Sequence, residues 1–189
     1  VLLTAGPAAG KTTLMSQVVV SSLKGEMVPI LVKVQHLQRR LLASPAAFGA
    51  AWNWVDAFLL CEHGDSPYYR MLRQAMASRR ALLLLDGIDE GGAKRAEIEA
   101  HVVEVLAPQG HVMLATSRPA GIDELRFGGF RRLRLSPLSE AQQEQALTQR
   151  LGYQGTAKVL PYLETVPRHT ETGERVTSNP LMLSMVCSV

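Results

Sequence analysis

Five short apolar runs punctuate the first 135 residues, and stretches of helical periodicity separate them. The first is Leu2-Leu3-Thr4 and the second Val28-Pro29-Ile30-Leu31-Val32-Lys33-Val34. The third, Arg80-Ala81-Leu82-Leu83-Leu84-Leu85, has no polar alternation, which fits a strand buried on both faces of a parallel sheet. His111-Val112-Met113-Leu114-Ala115 is the fourth. The fifth, at 130–135, alternates apolar residues with Arg and predicts a half-exposed final strand. Pro29 sits near the start of its run, where a missing donor is tolerated.

Between the runs the period lengthens. A helix is expected over 11–24, with Leu14 and Val18 four apart and Gly25 placed to end it. Residues 37–80 read as mostly helical, broken at Ser44-Pro45 and at Gly64-Asp65-Ser66-Pro67, and 97–106 suits a helix before the fourth strand. Ser139 and Gln142 form a capping box for a helix through Leu151. After Gly152 the pattern stays helical, with Pro161 and Pro180 as breaks. Alternating strands and helices predict an α/β fold, a parallel sheet with right-handed crossovers. A boundary near 137 is expected to separate this sheet-based core (1–137) from the start of a helical segment (138–189).

The turn after the first strand carries chemistry. Ala5-Gly6-Pro7-Ala8-Ala9-Gly10-Lys11-Thr12-Thr13 follows the Walker A pattern of Gly, four free positions, then Gly-Lys-Ser/Thr, except that Ala5 fills the first Gly place. Phosphate oxygens need a concave run of backbone N–H groups, a helix N-terminus, an ammonium and a hydroxyl for Mg²⁺. Residues 8–13 supply the amides, Lys11 the charge and Thr12 the metal ligand. Pro7 has no N–H and must sit where none is needed.

The third run ends in Asp86-Gly87-Ile88-Asp89-Glu90. Asp86 emerges at the carboxyl end of its strand, where open α/β sheets place their ligands and where a Walker B aspartate holds Mg²⁺. Gly87 lets the chain turn away, and Asp89 and Glu90 reach the space from which water attacks a γ-phosphate. The fourth run ends in Thr116-Ser117-Arg118-Pro119. Thr116 or Ser117 is expected to orient that water, and Arg118 to meet the γ-phosphate through its planar guanidinium.

Together these segments resemble the NACHT family of signal-transducing ATPases, within the wider STAND group of P-loop proteins. Asp86-Gly87-Ile88-Asp89-Glu90 is similar to the family's Asp-Gly-hydrophobic-Asp-Glu, and Thr116-Ser117-Arg118-Pro119 to its sensor 1. Leu135-Ser136-Pro137-Leu138-Ser139 before a helix and Asn179-Pro180-Leu181-Met182-Leu183 are further matches. The resemblance implies a P-loop core of the AAA+-like kind followed by the start of a small helical domain. It also implies ATP or ADP with Mg²⁺ as ligands and a slow, oligomerising ATPase switch. Gly6, Pro7, Ala8, Ala9, Gly10, Lys11, Thr12 and Thr13 would hold phosphates, and Thr12 and Asp86 the metal. Glu90, with Asp89, would polarise water, Arg118 would read the γ-phosphate, and Pro180 would touch the base. A AAA+ remodelling ATPase and a non-hydrolysing nucleotide-gated scaffold are the alternatives. A GTPase would need an Asn-Lys-x-Asp reader and a transporter ATPase a Leu-Ser-Gly-Gly-Gln segment, and the chain has neither.

Composition narrows the partners. The net charge of +3 is small, and the clusters Arg39-Arg40, Arg79-Arg80 and Arg131-Arg132-Arg134 sit apart, so no nucleic-acid partner is expected. Cys61 and Cys187 have no paired spacing, so neither a disulfide framework nor a zinc site is indicated, and a reducing, cytoplasmic setting is expected. The five histidines are scattered singly and read as surface or core filling, as Trp52 and Trp54 read as packing residues. No stretch approaches a membrane span. The chain opens with Val1 and enters a strand at once. It reads as a piece of a longer protein, whose other domains or further copies would be its partners. The apolar tail 181–189 would pack against that protein.

Overall fold

A computed structural model describes residues 1–168, 170 and 173–188. The chain divides into two compact units. The first comprises Val1–Ala5 and Lys11–Arg134, the second Gly6–Gly10 and Leu135–Val189.

The first unit is built on a parallel sheet of β1 (Leu2–Thr4), β2 (Val28–Lys33), β3 (Ala81–Asp86), β4 (Val112–Ser117) and β5 (Arg132–Arg134). Their spatial order is β2-β3-β4-β1-β5. The α/β class expected from the pattern is the one found. Pro29 is on β2, an edge strand, where its missing N–H breaks no ladder bond. Strand β5, at the other edge, is exposed at all three residues, so the half-exposed strand expected there is exposed throughout: nothing beyond it in the sheet covers Leu133.

Register divides the sheet into two faces. Ile30, Leu83, Met113 and Leu2 are joined through the pairings Ile30↔Leu83, Leu83↔Met113, Leu85↔Ala115 and Leu2↔Ala115. These residues belong to the main core. The opposite face carries Leu31, Leu84, Leu114 and Leu3, and at its carboxyl edge Asp86 and Thr116. The step from β1 to β2 runs one way along the sheet and the steps from β2 through β4 run back. Right-handed crossovers therefore put the intervening helices on opposite faces.

Helices α2 (Val34–Ala43), α3 (Pro45–Gly49), α4 (Trp54–His63), α5 (Pro67–Ala77) and α6 (Arg95–His101) supply the main core. Val34, Leu37 and Leu41 of α2 share its buried stripe, as the helical period requires. Asn53 and Ser66 cap α4 and α5 by accepting from the N–H of Asp56 and Tyr69, each satisfying one orphan donor. Helix α1 (Lys11–Ser22) has a single fully buried residue, Met15. It stops two residues before the expected end: Ser22 Oγ bonds Val18 O at 2.7 Å and Gly25 N–H bonds Ser22 O at 3.0 Å, tightening the chain into a turn. The helix expected over 97–106 is α6 followed by a wider π-type turn at Val102–Leu106.

In the second unit, α7 (Glu140–Thr165) and α8 (Pro180–Val186) pack through Leu147, Leu163 and Leu183. The capping box is present: Ser139 Oγ accepts from Gln142 N–H at 3.2 Å, and Gln142 Oε1 accepts from Ser139 N–H at 2.9 Å. The break falls at Gly152, with φ 70° and ψ 173°, and Pro161 lies inside the helix. The expected break at Pro161 is thus corrected: its fixed φ is helical, and only its N–H is missing. Among the described residues no helix is long and apolar enough to cross a membrane. Both cysteines are free thiols. Of the tail 181–189, Val189 lies outside the described residues, while Leu181, Met182 and Met185 are exposed.

Candidate functional site

In the first unit, three sequence-predicted residues meet at the carboxyl edge of the sheet. Asp86 ends β3 and is buried. Thr12, in the first turn of α1, donates from Oγ1 to Asp86 Oδ2 at 2.9 Å. Thr116 ends the adjacent strand β4 one residue before Ser117 and donates from Oγ1 to Asp86 Oδ1 at 2.7 Å. The same Thr116 oxygen accepts the N–H of Gly87 at 2.9 Å. Because β4 lies between β1 and β3, its tip reaches Asp86 directly. Lys11 begins α1, and its ammonium donates to the Ala5 carbonyl at 3.0 Å. Thr13 follows, exposed, on the same turn.

Gly87 has to be glycine. Its φ is 79°, in the left-handed region, and a Cβ there would lie 3.0 Å from Glu90 Cδ. The chain then makes a single 3₁₀ turn, Ile88–Glu90, with fully buried Ile88 as its anchor. Glu90 is left exposed and Asp89 half-buried. Asp89 is engaged by Arg118 twice, through the backbone N–H at 3.1 Å and through Nε at 3.1 Å. Gly121, three residues beyond Arg118, lies so close to Asp89 that a Cβ there would collide with the Asp89 side chain.

Thr116 and Ser117 are both fully buried, and their hydroxyls are occupied, Thr116 by Asp86 and Ser117 by the Arg118 carbonyl at 3.0 Å. The strand register turns the Thr116 hydroxyl onto Asp86. Sequence reasoning missed this partnership. The available signal was a hydroxyl at the tip of an apolar run, which names a strand end but not its neighbour.

In the second unit, the loop Gly6–Gly10 is shaped by two left-handed residues, Ala8 with φ 58° and Gly10 with φ 91°. Asn179 caps α8 with Oδ1, accepting from Leu181 N–H at 2.9 Å, and donates from Nδ2 to the Pro7 carbonyl at 3.2 Å. A Cβ on Gly10 would stand 3.9 Å from Pro180 Cγ. Pro180 and the loop are therefore neighbours within this unit. Asn179 had no assigned role in the sequence; its place before Pro at a helix start was the only hint.

Histidine chemistry lies elsewhere. His101 stacks on Trp54, with ring centroids 4.3 Å apart, and its Nε2 accepts the Trp54 backbone N–H at 2.9 Å. Burial lowers its pKa from 6.5 to about 4. His111 is also held below the ordinary imidazole value, by burial and then by the charge of Arg79. Among the described residues no group of three or more His, Cys, Asp or Glu is arranged to hold a metal ion.

No protein-family model matches the sequence, and no curated protein matches it. Among solved structures, the chain is similar to one describing katanin self-assembly, at 15% identity and TM-score 0.49, covering 99% of this chain and 54% of that one. It is also similar to a signal transduction ATPase with numerous domains, carrying a tetratricopeptide repeat sensor, from Pyrococcus horikoshii. That match has 13% identity and TM-score 0.49, and covers 100% of this chain and 27% of that one. A third is C. elegans PCH-2, at 12% identity and TM-score 0.43, covering 98% and 50%. The chain thus spans about half or less of each of these proteins.

Proposed function

We propose that this chain is an ATP-binding P-loop domain of the NACHT type, a switch that exchanges ADP for ATP with Mg²⁺ and hydrolyses ATP slowly. One observation carries the reading: the Thr12 hydroxyl and the Asp86 carboxylate meet at 2.9 Å, one residue from Lys11, at the carboxyl edge of a parallel sheet. Ligands bind at that edge in open α/β sheets.

The donor set fits Mg²⁺. A hydroxyl and a carboxylate are hard oxygen ligands, and Mg²⁺ in nucleotide sites takes one or two protein oxygens and completes its shell from phosphate and water. When bound, the cation neutralises charge on the β- and γ-phosphate oxygens. Lys11 adds a point charge at the same phosphates, and amides of the loop Gly6–Gly10 bind their oxygens. Glu90, exposed beside Gly87, accepts the proton of the attacking water, with Asp89 orienting it, and Arg118 exchanges Asp89 for the γ-phosphate. Pro180 contacts the base.

A switch needs unequal affinities in its two states, because a ligand bound equally by both shifts nothing. Contacts of Lys11, Arg118 and Mg²⁺ to the γ-phosphate supply the inequality between ATP and ADP. The conformational change passes to other copies of the chain or to other domains of a parent protein. Lys11→Ala is expected to lower ATP affinity by roughly a hundredfold, the worth of a well-placed charge on phosphate. Titration calorimetry measures it, and unchanged affinity would contradict the assignment of the loop.

A further inference from the structure

We propose that Thr116 is a positioning residue for the divalent cation: it commits Asp86 Oδ1 to the fold and turns Oδ2 alone toward Thr12 and the metal. This rests on the reading of Thr12 and Asp86 as metal ligands.

The hydrogen-bond chain is directional. Gly87 N–H donates to Thr116 Oγ1 at 2.9 Å, and Thr116 Oγ1–H donates to Asp86 Oδ1 at 2.7 Å. A hydroxyl has one proton, so accepting from Gly87 leaves that proton for the carboxylate. Thr116 is fully buried and Asp86 nearly so, and their bond is therefore exchanged with water only when the strand tips open. The arrangement engages Oδ1 from the β4 side and holds the carboxylate plane. Oδ2, bonded by Thr12 Oγ1 at 2.9 Å, is the oxygen left for an incoming cation. Mg²⁺ demands near-ideal octahedral geometry, so a carboxylate free to rotate or to chelate through both oxygens costs affinity. Held ligands are what an outer hydrogen-bond partner provides, and losing such a partner typically costs 10–100-fold in metal affinity.

The register explains why a β-branched hydroxyl occupies this place. Leu85 pairs with Ala115, so Asp86 and Thr116 come next on neighbouring strands and point to the same face. Thr keeps χ1 stiff through its methyl, which holds the hydroxyl on Asp86 without a third support. The N–H of Gly87 itself donates to the same oxygen, and the left-handed turn there then leads the chain away.

The test measures how much Mg²⁺ strengthens ATP binding. Calorimetric affinities for ATP are taken with excess Mg²⁺ and with EDTA, on the full chain and on Thr116→Val, Thr116→Ala and Thr116→Ser. Thr116→Val and Thr116→Ala are expected to lose roughly tenfold of the Mg²⁺ enhancement while the affinity in EDTA stays within about twofold of wild type. Thr116→Ser, which keeps the hydroxyl, retains the enhancement. The proposal is overturned if both hydroxyl-free variants keep the full enhancement, if they lose affinity equally with and without Mg²⁺, or if neither folds while Thr116→Ser does. If wild type binds no ATP in either buffer, the nucleotide reading itself fails. Wild-type enhancement preserved in every variant sinks only the role of Thr116.

Discussion

Arg118 holds Asp89 through its backbone and its guanidinium. A guanidinium moved from a carboxylate to a phosphate keeps a charge-assisted hydrogen bond, so on the proposed reading ATP offers Arg118 a partner that ADP lacks. Arg118→Ala is therefore expected to weaken ATP by about tenfold and ADP by less than about twofold, a difference of at least about 1 kcal/mol. Competition titrations of the two nucleotides measure it; equal losses would show that Arg118 serves only Asp89. At this scale the meeting of Thr12 and Asp86 could be anticipated, because a hydroxyl after Gly-Lys and an acid at a strand end form a recurring sequence pattern. Thr116 could not. It is 30 positions from Asp86, and only the β3–β4 register makes them neighbours. The pairing of Arg118 with Asp89 was hidden for the same reason, two strand tips being brought together by a sheet order that no local pattern encodes.

The strands were the most legible elements, since unbroken Leu, Val and Ala runs leave little choice but burial between layers. Helix ends and breaks were less so. The break at Gly152 falls where the helix was expected to end, just past Leu151, whereas Pro161 is tolerated where it signals a stop. The contact between α6 and the start of α4 is likewise invisible locally, yet it has a measurable consequence. His101 stays neutral in the fold until about pH 4, whereas an unfolded imidazole takes a proton near 6.5. As pH falls between those values the unfolded chain binds the extra proton, so stability drops across that window. His111, lowered for the same reason, adds in the same direction. Urea midpoints at pH 7.5 and 5 should show a larger loss for wild type than for His101→Gln. Equal losses would mean that His101 carries no share of the acid sensitivity.

On the scale of the chain, each unit has its own internal ties. The first holds Lys11, Thr12, Asp86, Thr116 and Arg118 on one sheet edge. The second holds the loop Gly6–Gly10 with Asn179 and Pro180, tied by a hydrogen bond spanning 172 positions. The alternation of strands and helices announced the α/β class, but a contact across that span can be seen only in the folded chain. The central claim is that Thr12 and Asp86 form the metal end of a nucleotide site. It is tested most directly by a crystal structure with Mg²⁺ and a non-hydrolysable ATP analogue. The account predicts a cation bonded to Thr12 Oγ1 and within one water of Asp86 Oδ2, with the γ-phosphate at the Lys11 ammonium. A nucleotide bound elsewhere, or a cation with Asp86 more than one water away, would contradict it.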